Sequence, residues 1–202
     1  MENNLEQKPQ SNAQVPESKW KKHARDAWDL IKFAAIALAI VVPIRMFIAQ
    51  PFVVSGDSMF PTFHNGEYLI VDEISYILGT PKRGDVVIFK YPNDPSRYFI
   101  KRIIGLPNEE VVIKNGEITI KNKENPDGFK LVEPYINEKF TTTENQKIGN
   151  DEYFVMGDNR NRSSDSRSWG LLPRKNMTGR AFLRLLPLKS MSYLPGYYKE
   201  DK

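Results

Sequence analysis

The sequence predicts a mainly β fold, an antiparallel β-sheet domain following one N-terminal transmembrane helix. Three observations carry this expectation. Residues 33–44 form a run without charge, preceded by a cluster of basic residues. Beyond residue 50 the apolar pattern changes to short β-type runs separated by turn residues. Between two of these runs stands Asn115-Gly116, the two-residue signature of a tight hairpin. A chain of 202 residues, 40% of them hydrophobic, can hold one domain of moderate size with an anchor and a tail. The net charge of +4 is mild. It permits contact with anionic lipid or nucleic acid but demands neither, and no nucleic-acid partner is expected. With no cysteine there are no disulfides, a thiol protease is excluded, and the compartment stays open.

Taken in order, residues 1–18 are polar and carry too little apolar surface to order themselves, so they are expected to be a disordered cytoplasmic tail. Residues 19–29 form a basic juxtamembrane segment that includes Lys19, Lys21, Lys22 and Arg25 beside Trp20. The charge-free run is short. At ~1.5 Å per residue its helix covers roughly 18 Å of a ~30 Å hydrocarbon core. The span must therefore extend over residues 30–49, with Lys32 and Arg45 snorkelling near the interfaces. The positive-inside rule then places the N-terminus in the cytoplasm and residues 50–202 outside. A buried soluble helix and a cleavable signal peptide are the rivals. Against cleavage, Phe47 stands two residues before Ala49, where a small residue would be needed.

The domain proper is expected over residues 50–186, with strands at 68–72, 85–90, 98–104, 110–114, 117–121, 153–156 and 179–186. Residues 122–128 and 141–150 read as polar loops, and 187–202 as a C-terminal tail. No amphipathic helix is predicted beyond the anchor.

The chemistry centres on Ser55-Gly56-Asp57-Ser58-Met59-Phe60-Pro61-Thr62. Gly56 allows a tight turn before Ser58 and Pro61 fixes the exit. A hydroxyl needs a base to become a useful nucleophile. The two histidines serve poorly: His23 precedes the apolar run, and His64 sits in a Phe-His-Asn-Gly turn. A lysine can serve instead if burial keeps it neutral. At an ordinary pKa of ~10.4 only about four lysines in ten thousand are neutral at pH 7, and burial can lower that pKa by ~3–5 units. Lys101 is best placed, within Tyr98-Phe99-Ile100-Lys101-Arg102-Ile103-Ile104-Gly105. On an alternating strand, Lys101 and Arg102 could equally be surface charges.

The Ser58 stretch, the Lys101 segment with Gly105-Leu106-Pro107, and Gly157-Asp158-Asn159-Arg160-Asn161-Arg162-Ser163-Ser164-Asp165-Ser166-Arg167 occur in the order they take in type I bacterial signal peptidases. Arg83-Gly84-Asp85-Val86-Val87-Ile88-Phe89 resembles a further block of that family. The resemblance runs from the anchor to about Ala181. It implies a Ser-Lys serine endopeptidase without cofactor or metal, with Ser58 as nucleophile and Lys101 as general base. It further implies that Ser163 hydrogen-bonds the lysine amine, that Asp165 and Arg167 form a structural ion pair, and that Asp158 with Arg160 braces the loop. Phe52, Val54, Met59, Phe99 and Ile100 would form the substrate pocket. The substrates implied are preproteins with small residues at −1 and −3. The partners implied are the lipid bilayer and the protein translocation machinery. Some relatives carry a serine two positions before the nucleophile as an oxyanion donor. Here Gly56 stands there, which leaves Ser55 or a backbone group for that task. A non-catalytic, membrane-anchored β binding module is the alternative.

Overall fold

The computed structural model describes residues 19–43, 49–136 and 138–198. The chain divides into two compact units, Met1–Val42 and Pro43–Lys202. Helix α1 spans Lys19–Pro43 and runs through both the basic segment and the charge-free stretch. Among the described residues no helix is long and apolar enough to cross a membrane. The reason lies in the charges: every eighteen-residue window inside Lys19–Pro43 contains Asp26, Asp29 and Lys32. The expected span of residues 30–49 runs on through 44–48, which lie outside the described residues, as does the expected tail 1–18. Its last residue, Ala49, opens a strand instead.

The second unit is built from antiparallel strands. They are β1 (Ala49–Val53), β2 (Tyr68–Asp72), β3 (Val86–Tyr91), β4 (Asp94–Gly105), β5 (Glu110–Lys114), β6 (Glu117–Lys121), β7 (Phe129–Lys130), β8 (Glu144–Lys147), β9 (Glu152–Met156), β10 (Leu172–Pro173), β11 (Met177–Leu186) and β12 (Ser192–Tyr193). The larger sheet runs β1-β2-β11-β3-β4-β9-β10, with β12 paired to β11. The smaller runs β7-β6-β5-β8. Its β5–β6 hairpin turns at Asn115 and Gly116, which take φ of 49° and 83°. Both central residues in the left-handed region is what a tight hairpin requires.

Several elements escape the sequence pattern. The expected loop 141–150 contains β8, paired along β5. Its Glu-Asn-Gln-Lys sequence has no apolar residue, so no alternation could announce it. The expected tail 187–202 carries β12, and Leu194 donates a backbone hydrogen bond to Phe182. Two short helices, α2 (Ile74–Leu78) and α3 (Ser166–Trp169), also lie beyond α1. Asp165 caps α3 in a capping box with Ser168.

Two points of this frame position the site. Strand β4 lies inside the larger sheet between β3 and β9, and residues 101–105 are all buried. Arg102 faces Met156 across the β4–β9 ladder, so residues 157–167 leave β9 directly beside it.

Candidate active site

Side chains alternate across a strand, so Lys101 and Arg102 point to opposite faces. Lys101 Nζ lies 2.8 Å from Ser58 Oγ and donates to the Ile100 carbonyl at 2.9 Å. The lysine side chain is not a surface charge: Lys101 is only 4% exposed. Burial pushes its pKa down to about 8, against an opposing pull from Asp165 and Asp158. An ammonium stripped of water is disfavoured, and the two aspartates restore only part of the loss.

Arg102 is fully buried and pairs with Asp158 through two parallel bonds, Nε to Oδ1 at 2.8 Å and Nη2 to Oδ2 at 2.6 Å. Its remaining nitrogen donates to the carbonyls of Gly84 and Gly196. Tyr135 lies with its ring 3.9 Å from the guanidinium. Thr62 Oγ1 donates to Asp158 as well. A buried guanidinium keeps its charge, so each of its donors must find an acceptor. These bonds tie β4, the loop after β9, the residues beyond Ser58 and the C-terminal segment into one unit.

The loop of residues 157–167 clamps the nucleophile segment. Asn159 donates from its backbone to Ser58 O at 3.0 Å and from Nδ2 to Asp57 O at 3.0 Å. Gly157 has no room for a side chain: a Cβ there would lie 2.2 Å from Ser163 Oγ and 2.4 Å from Ser58 O. Asp165 accepts from Gly157 N and takes Arg167 in a two-point ion pair at 2.8 and 2.7 Å. Arg160 donates to Gly157 O and pairs with Glu133.

The profile of the family described as "Signal peptidase, peptidase S26" matches residues 27–186. A signal peptidase I from Bacillus amyloliquefaciens is 36% identical over 203 residues, covering 92% of this chain and 96% of the relative. A probable signal peptidase I-1 from Synechocystis sp. is 35% identical over 182 residues, covering 84% and 90%. The chain belongs to the signal peptidase family S26. It is a serine endopeptidase. A crystal structure of a signal peptidase I from Enterococcus faecalis V583 is also similar, at 29% identity and a TM-score of 0.44, covering 50% of this chain and 96% of that one.

Some residues of this S26 peptidase sit elsewhere than the family resemblance implied. Ser163 makes no hydrogen bond to the lysine amine. Its Oγ is buried against Gly157 with no partner among the described residues, and Lys101 Nζ meets Ser58 and Ile100 instead. Asp158 and Arg160 each tie the loop to a different segment: Asp158 takes Arg102, and Arg160 takes Glu133. Asp165 and Arg167 do form an ion pair. Phe52, Val54, Phe99 and Ile100 line a cleft of about 560 Å³ that also contains Ser58 and Lys101. Met59 does not line it. Its side chain is 1% exposed and packs in the core with Phe63 and Leu69.

Arg102, Glu133, Thr62 and Asn159 were not singled out from sequence. For Arg102 a signal existed, since it shares the apolar neighbours that marked Lys101. Glu133 stands in a loop, Leu131-Val132-Glu133-Pro134-Tyr135, that carries no motif.

Proposed function

We propose that Ser58 is the nucleophile and Lys101 the general base in the removal of N-terminal signal peptides from preproteins. The 2.8 Å approach of a buried amine to the Ser58 hydroxyl carries this reading. A base titrating near 8 is neutral often enough at physiological pH to accept a proton. Neutral Lys101 takes the Ser58 proton as Oγ bonds to the scissile carbonyl carbon. The carbonyl π electrons move to oxygen, where the Ser58 N–H stabilises the charge. As the tetrahedral species collapses, the C–N bond breaks and the Lys101 ammonium returns its proton to the leaving amine. A water molecule, deprotonated by Lys101, then attacks the ester carbon; the C–Oγ bond breaks, and the Lys101 ammonium returns the proton to Ser58 Oγ, which frees the carboxyl product and completes the cycle.

The substrate runs extended through the cleft. Phe52 and Val54 stand on the β1 side and Phe99 and Ile100 on β4, leaving shallow apolar room for small residues at −1 and −3. The segment from residue 30 up to the start of β1 anchors the chain in the bilayer, with residues 1–18 cytoplasmic and the β domain outside, within reach of the translocation machinery. The exposed Leu30, Phe33, Ile36, Leu38 and Ile40 of α1 support an apolar environment for that helix.

The direct test incubates detergent-purified protein with a signal-peptide substrate and locates the cut by mass spectrometry. Cleavage after the small residue at −1 is expected. Ser58→Ala and Lys101→Ala should each lose at least about a thousandfold in rate with the fold intact. Wild-type cleavage by either variant would reject the pair. Topology is tested separately: protease added outside spheroplasts should digest residues beyond 50, and protection of that part would overturn the orientation.

A further inference from the structure

The Ser58 N–H can stabilise an oxyanion only if it points into the cleft at the moment charge develops. The other end of the same peptide group is fixed by a hydrogen bond. The Asp57 carbonyl and the Ser58 N–H share one planar trans unit, so they point in opposite directions. Asn159 Nδ2 donates to that carbonyl at 3.0 Å. The Asn159 backbone N–H holds the next carbonyl, Ser58 O, at 3.0 Å. Two successive carbonyls of the nucleophile segment are thus turned toward one residue, and the amide between them is turned away from it. On the near side Gly56, at φ 87°, donates its N–H to Asn65 Oδ1 at 2.9 Å. The Ser58 N–H itself donates to no protein acceptor among the described residues.

We propose that Asn159 is a positioning residue of the reaction: its carboxamide, by gripping Asp57 O, aims the Ser58 N–H at the forming oxyanion. This rests on Ser58 being the nucleophile. The other end of the carboxamide supports a positional role over a stabilising one. Asn159 Oδ1 is buried with no partner among the described residues. A buried acceptor left unpaired costs stability, so truncating this side chain removes a burden along with a bond. The peptide group then gains freedom to rotate while the fold is kept by the neighbouring Arg102–Asp158 and Arg167–Asp165 pairs.

The experiment uses full-length protein in detergent with a signal-peptide substrate. The variants are Asn159→Ala, and Asn159→Asp, which keeps the shape but replaces the donor with an acceptor facing Asp57 O. Two further ligands are measured. One is a peptide aldehyde of the substrate's sequence, whose oxygen takes the oxyanion position once Ser58 Oγ adds to the carbonyl. The other is the cleaved product peptide, which forms no tetrahedral centre. Loss of an oxyanion donor outright costs about 10²–10³ in kcat, and a donor left free to swing should cost about 10–100-fold. The expected result is that loss in kcat, an equal loss of aldehyde affinity, and KM and product affinity within about twofold of wild type. The Asp variant should lose more than the Ala variant. The pH midpoint of the Ala variant should stay near 8, while the new carboxylate of the Asp variant should push it upward, as Asp165 and Asp158 already do. Wild-type kcat and aldehyde affinity in both variants would overturn the proposal. So would a fall in kcat matched by an equal fall in product affinity. Ser58→Ala is run in parallel. If it cleaves, the nucleophile assignment fails; if it is inactive while both Asn159 variants keep wild-type kcat, only the positioning role fails.

Discussion

Strands β5 and β6 alternate buried and more open residues along their length, and the buried ones are Val111, Ile113, Ile118 and Ile120. Residues 101–105 at the end of β4 are all buried, and they begin with a lysine and an arginine. The smaller sheet closes on carbon, with Phe140, Ile148 and Phe154 joining the same core. At the seam of β4, β9 and the loop that follows, the interior holds Lys101, Arg102, Asp158, Arg160 and Asp165. Burying apolar area stabilises at roughly 25 cal/mol per Å², whatever the fine geometry. Burying charge stabilises only while each partner is in place. The first region can therefore be eroded gradually, and the second fails at single positions. The second is also where a lysine can be held without water and without a full counter-charge, which a general base requires.

That contrast can be broken most sharply at Asp158. Asp158→Ala strands the fully buried Arg102 guanidinium, and a loss of about 3–5 kcal/mol is expected. Denaturant unfolding measures the loss, and a change under about 1 kcal/mol would mean that the pair is not what holds the seam. Activity should fall with it, since Asp158 precedes the residue that grips the Ser58 segment. A smaller effect belongs to the other sheet. Ile120→Val removes one methylene from the apolar core and should cost about 0.5–1.5 kcal/mol. The kcat of its folded fraction should equal that of wild type. A tenfold drop in kcat there would show that the two regions are mechanically coupled and would erase the distinction drawn between them.

The two regions were also unequally legible in the sequence. The small sheet's hairpin declared itself, because alternation and Asn115-Gly116 are local signals that the structure had only to obey. Strand β8 did not, since its pairing with β5 is made by backbone and its side chains carry no apolar period. Ser58 and Lys101 were candidates from their neighbours, and the resemblance to the signal peptidase blocks is what singled them out. Their partners did not stand out, because a buried ion pair is a fact about two distant segments. Arg102 meets Asp158 only after β4 and β9 have aligned, and Arg160 meets Glu133 from a loop with no motif. The same holds for Met59, which adjoins the nucleophile in sequence yet turns into the core. Adjacency along the chain does not say which way a side chain faces.

The proposed reaction depends on Lys101 working as a neutral amine, and the pH dependence of kcat/KM for a signal-peptide substrate tests that most directly. Burial holds the lysine's pKa at about 8, so the competent fraction should rise from about a tenth at pH 7 to about nine-tenths at pH 9. The expected profile climbs tenfold per pH unit on its acid limb and bends near pH 8. A profile flat from pH 5 to 9 would contradict it, because no base that titrates in that range would then be taking the Ser58 proton.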